Sequence, residues 1–166
     1  MRTYYLCLVR FRQRDRYTLW YSNDTDGLEL RDGKISLFGA EEQLVRLAAE
    51  QGLQFENEEP VLHDFDLAAQ WVQTGDASEV DCSVFNSVFN LCTDAAQSLG
   101  QPASWESPQF RPIYQKLFWG CNLPALTPPG EQYIPRWSWD ELGVLRDALR
   151  KALDQFLAGV ELVPDP

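Results

Sequence analysis

Thr3-Tyr4-Tyr5-Leu6-Cys7-Leu8-Val9-Arg10-Phe11, followed by Arg16-Tyr17-Thr18-Leu19-Trp20-Tyr21-Ser22, is the stretch on which the fold turns. Both runs are rich in aromatic, aliphatic and β-branched residues. In the second, Tyr17, Leu19 and Tyr21 fall on one face and Thr18 and Trp20 on the other, the period of a strand. The polar Gln13–Asp15 segment between them reads as a turn, so the pair forms an antiparallel hairpin. Leu28–Leu30 and Lys34–Leu37 flank Asp32-Gly33, a two-residue hairpin signal. These segments predict a three- or four-stranded antiparallel sheet near the N-terminus.

Downstream the period changes to that of helices. Ala40–Gln51 carries Leu44, Leu47 and Ala48 on one stripe, Glu41 and Glu42 in its first turn, and Gly52 as its stop. Gln54–Pro60 reads as an acidic loop and Pro60–Phe65 as a further strand. Asp66 is expected to cap a short helix over Leu67–Thr74, ended by Gly75. Ser78–Leu99 reads as the longest central helix, with Ser78 and Asp81 at capping-box spacing. Residues 101–137 are Pro-rich and irregular, with a short helix within Gln109–Phe118. Their aromatics (Trp105, Phe110, Tyr114, Phe118, Trp119, Tyr133, Trp137) imply that the loop is packed. The last helix is the clearest element. Ser138 is its N-cap, Glu141 completes a capping box, Trp137 and Leu142 form a hydrophobic staple, and Gly159 ends it. The expectation is one α+β domain over 1–166: a strand-rich part to about residue 38, then about four helices and a long Pro-rich loop.

A chain of 166 residues with 45% hydrophobic residues is long enough for a single core. No apolar run reaches the roughly 20 residues that span a bilayer, and no signal-peptide pattern opens the chain, so a soluble cytoplasmic protein is expected. The net charge of -11 is unevenly placed: residues 1–22 carry +4, residues 23–81 carry -12, and residues 82–166 carry -3. A field this negative disfavours nucleic acid and anionic membrane as ligands and favours a cationic partner. Two acidic clusters are the candidate partner-binding residues: Asp24, Asp26, Glu29 and Asp32, and Glu56, Glu58, Glu59, Asp64 and Asp66.

Carboxylates are too plentiful for spacing to single out a catalytic pair, whereas cysteine and histidine are few. Cys7, Cys82, Cys92 and Cys121 form no CxxC pair, and no metal site or cofactor is expected. The Asn23–Gly27 stretch lacks the later ligands of a calcium loop, with Lys34 standing where the terminal Glu belongs. His63 is the lone histidine. A hydrolase reading pairs it with a carboxylate such as Asp64 or Asp66, without a GxSxG elbow to support it. Arg10, Arg12, Arg14 and Arg16 recur at period two, which reads as a solvated strand edge before a phosphate ridge. Asn86 and Asn90, four apart on the central helix, are expected to bond the irregular backbone of the 101–137 loop.

Asp81-Cys82, Asn86, Asn90 and Asp94, then Lys116-Leu117-Phe118-Trp119-Gly120-Cys121-Asn122-Leu123-Pro124-Ala125-Leu126-Thr127-Pro128 and Tyr133-Ile134-Pro135-Arg136-Trp137, form a recognisable pattern. It resembles immunity proteins found beside polymorphic toxins, including those of bacterial contact-dependent growth inhibition systems. The resemblance covers about the C-terminal half. It implies a small cytoplasmic protein that binds and neutralises the C-terminal domain of a cognate toxin, often a nuclease, and does no catalysis. A basic nuclease cleft and an acidic inhibitor are complementary in sign. The alternatives from the residues are a small hydrolase using His63 and a regulatory binding module with no toxin partner.

Overall fold

The computed structural model describes residues 1–165. Its element order is β1 (Thr3–Phe11), β2 (Arg14–Ser22), β3 (Gly27–Leu28), β4 (Leu30–Arg31), β5 (Lys34–Phe38), α1 (Glu41–Glu50), β6 (Val61–Asp64), α2 (Phe65–Thr74), a 3-10 turn (Ala77–Glu79), α3 (Cys82–Ser98), α4 (Phe110–Gly120), α5 (Trp139–Ala158) and β7 (Val160–Val163). The expected α+β arrangement holds, with seven strands and five α-helices among the described residues.

The β1–β2 hairpin pairs Thr3 with Ser22 at one end and Phe11 with Arg14 at the other. Its turn is therefore Arg12-Gln13, not the expected Gln13–Asp15. Both residues have positive φ, 52° and 60°, as a tight hairpin of the I′ kind requires. Neither is a residue that favours that region. The Asp66 carboxylate offsets this by accepting both turn amides, Arg12 N–H at 2.6 Å and Gln13 N–H at 2.7 Å. At Asp32-Gly33 the second hairpin forms as expected, Arg31 pairing with Lys34.

The sheet has the order β4-β5-β2-β1-β6, with β3 on β2 and β7 on β5. The expected antiparallel pairs are present, but two parallel pairs extend them. β6 lies along β1, Cys7 beside Val61 and Arg10 beside Asp64. β7 lies along β5, Ile35 beside Val160 and Phe38 beside Val163. The chain beyond Gly159 thus returns to the sheet.

Each sheet face buries a different set. Leu6, Leu19 and Phe38 pack with Leu44 of α1 on one face. Val9, Phe11, Ile35 and Leu37 join the main core of α2, α3, α4 and α5 on the other. Aromatic pairs knit that core: Phe65–Phe156 at 4.8 Å, Phe89–Phe110 at 4.7 Å and Trp71–Phe85 at 5.2 Å between centroids.

Helix starts differ from expectation where two caps compete. Asp64, not Asp66, is the N-cap of α2, accepting from Leu67 N–H at 3.0 Å. This leaves Asp66 for the hairpin turn. The predicted Ser78 start is replaced by the 3-10 turn capped by Asp76, and α3 begins only after Asp81, which accepts from Val84 N–H. The longest helix is α5, and its Ser138–Glu141 capping box is complete.

Candidate functional site

α3 crosses the face of β1 and leaves a cleft of about 400 Å³ beside the β6 edge. Strand alternation sends Tyr5 and Cys7 toward the helix, and hairpin register sets Trp20 against Tyr5. Their rings stand 5.1 Å apart at centroids. Val61 and His63 close one side from β6, while α3 contributes Asn90, Leu91 and Asp94.

Asp94 is the one carboxylate lining this largely apolar space. Its Oδ2 accepts the Trp20 indole N–H at 2.8 Å. Burial raises its pKa above the usual carboxylate range; the indole bond acts against this, and the field of Asp26 adds to it. Cys7 is buried, and its thiol is pushed up to about 12 by burial, with Asp94 reinforcing the shift.

His63 is 8% exposed, and burial lowers its pKa to about 4, so it is neutral at pH 7. Its Nδ1 meets the Ser87 hydroxyl at 2.7 Å and lies 3.2 Å from the Ser87 carbonyl. The carboxylate pairing of the alternative hydrolase reading is not what the structure shows: among the described residues the side chain that His63 bonds is Ser87. Asp64 is turned to the α2 cap, with Arg10 3.9 Å away, and Asp66 to the hairpin turn.

The nine candidate carboxylates separate into groups with different work. Asp64 and Asp66 hold backbone at the hairpin end of β1. Glu56 to Glu59 lie toward the other end, because Phe55 bridges Tyr4 and the Asn57 amide brackets the Leu6 backbone at 2.8 Å on both sides. Tyr4 and Arg10 are separated by about 20 Å along the strand. The cluster that is contiguous in sequence is therefore divided in space. Asp24 and Asp26 follow Ser22, the partner of Thr3, and so reach the same sheet end as Glu56. Glu29 is there too, but paired with Arg2. Asp32 sits apart, at the β4–β5 turn. Asp24, Asp26, Asp32, Glu56, Glu58 and Glu59 are exposed and make no ion pair among the described residues.

The arginine series is not uniformly solvated. Arg10 is held by Asp15 through bonds of 2.8 and 3.2 Å, whereas Arg12 and Arg14 are exposed at the hairpin tip.

Asn86 and Asn90 do not serve the loop backbone. Asn90 donates to Asn86 Oδ1 at 3.3 Å and accepts the Tyr114 hydroxyl at 2.6 Å. Asn122 does the expected work, bonding the carbonyls of Gly120 and Tyr133 and the amide of Tyr133. Within the loop Trp105 and Phe110 are buried as expected, but Trp119 is 51% exposed and Tyr133 is 44% exposed. With Leu126 they line a second surface near the start of α3. That end is marked by Gly120 against Cys82; the acidic end is marked by Gly27 against Ser98. The two surfaces lie at opposite ends of α3, about 24 Å apart.

Sequence reasoning missed the Asp94 cleft. A signal existed in the four-residue spacing of Asn86, Asn90 and Asp94, which places three polar groups along one helix side.

No group of three or more His, Cys, Asp or Glu side chains gathers as a metal set among the described residues, and no described helix is long and apolar enough to cross a membrane. No family model and no curated protein matches the chain. Among solved structures the chain is similar in fold to the SatS C-terminal domain, determined in complex with bromine, with a TM-score of 0.59, 17% identity, and coverage of 96% of this chain and 94% of that one.

Proposed function

We propose that the protein is a cytoplasmic immunity protein that neutralises a cognate toxin domain by binding a basic surface on it, without catalysis. The observation that carries this reading is the acidic end of the sheet. Asp24 and Asp26 from one loop, and Glu56, Glu58 and Glu59 from another, gather there exposed and without ion pairs among the described residues. Carboxylates left unneutralised by their own fold remain solvated and available to steer a cationic partner. The resemblance of 81–137 to immunity proteins supports the class of partner, a toxin C-terminal domain of the nuclease type.

Co-expression with the product of the adjacent upstream gene tests it. The expected outcome is a salt-sensitive complex that suppresses toxicity. A neighbour with no toxin domain, together with no basic partner co-purifying, would remove the reading.

A further inference from the structure

The acidic end explains attraction at a distance but not what a partner inserts. We propose that the cleft between β1, β2, β6 and α3 is a side-chain pocket that receives the guanidinium of an arginine projecting from the basic protein partner; this rests on the partner reading above.

The pocket's composition selects that group. Tyr5, Trp20, Val61 and Leu91 supply apolar and aromatic walls suited to the arginine stem and to stacking against a planar cation. Asp94 supplies the charge. Its Oδ2 is oriented by the Trp20 indole, and among the described residues Oδ1 has no hydrogen-bond partner and no cation pairs with the carboxylate. A half-buried carboxylate in apolar surroundings is costly until a cation joins it. His63 stays neutral by burial and does not supply that cation. Anions are excluded by sign, and a purely apolar ligand leaves Asp94 unpaired. The strongly hydrated ammonium of lysine gains less from flat aromatic walls. Further acids stand close to the pocket in the chain or in their field: Glu58 and Glu59 precede Pro60 and the lining residue Val61, and the charge of Asp26 acts on Asp94.

The Trp20 indole N–H is a built-in reporter. Methylguanidinium is titrated into the intact protein while the indole signal, assigned through Trp20→Phe, is followed in 1H–15N spectra. A saturable shift is expected. Binding should weaken about tenfold or more in Asp94→Asn, which keeps an oxygen acceptor for the indole, and for methylurea, the neutral planar analogue. Tyr5→Leu, with Asp94 in place, provides a second variant and should also weaken binding. No saturable shift with methylguanidinium, an equal response to methylurea, or unchanged binding in folded Asp94→Asn would each overturn the pocket. Failure here is distinct from failure of the immunity reading, because Asp94→Asn leaves the acidic sheet end intact and its complex with the upstream gene product can be scored separately.

Discussion

The Arg12-Gln13 turn holds two side-chain-bearing residues in left-handed backbone, and one carboxylate satisfies both amides. Asp66→Ala should therefore destabilise the protein by about 1–3 kcal/mol in urea unfolding. Introducing Asn-Gly at positions 12 and 13, which adopts the turn unaided, should shrink that loss. An equal loss in both backgrounds would contradict the clamp. At this scale the sequence misleads for a physical reason: Asp64 and Asp66 both stand at a helix start, and only the position of a hairpin more than fifty residues earlier decides which of them caps it. His63 gives a second residue-scale prediction. Its folded pKa of about 4 lies below the unfolded value near 6.5. Unfolded chains bind the proton first as pH falls, so His63 withdraws stability between pH 6.5 and pH 4, by about 3 kcal/mol in all. The difference in unfolding free energy between wild type and His63→Gln, measured across that range, should follow this curve. A pH-independent difference would show that the ring is not buried neutral.

Elements differ in how much of their origin is local. α5 carries its own start signal in Ser138 and Glu141, and the Asp32-Gly33 hairpin carries its own turn, so both are legible from a few adjacent residues. β6 and β7 are four-residue strands in parallel pairs whose partners lie far away in the chain, so nothing local sets their pairing. α3 lies between these cases. Its apolar stripe is plain, but its start depends on whether Asp76 or Asp81 captures the free amides, and both do, in successive turns. Asp81→Ala should cost about 1 kcal/mol in thermal or denaturant unfolding. Asp76→Ala should leave α3 itself intact by circular dichroism. Removing residues 160–166 should strip β5 of its parallel partner, seen as loss of amide exchange protection at Ile35 and Leu37; unchanged protection there would show that β7 contributes little to the sheet.

For the whole molecule, the excess negative charge between residues 23 and 81 is visible in composition, but its arrangement is not. The fold spends Asp64 and Asp66 on its own backbone and Glu29 on Arg2, and leaves Asp24, Asp26, Glu56, Glu58 and Glu59 free at one sheet end. The Asp94 cleft was hidden because its members come from β1, β2, β6 and α3, and no spacing along the chain brings them together. The exposed Trp119 and Tyr133 surface stands away from this end, so substitutions there provide a comparison within the same molecule. The most direct measurement is the association rate with the product of the adjacent upstream gene, the proposed toxin partner, for wild type and for a variant with Asp24, Asp26, Glu56, Glu58 and Glu59 replaced by Lys, at low and high salt. The account predicts association that slows steeply with salt in the wild type, and a variant slower by about tenfold or more at low salt with that salt dependence lost or reversed. Equal rates for the two proteins at low salt would contradict it.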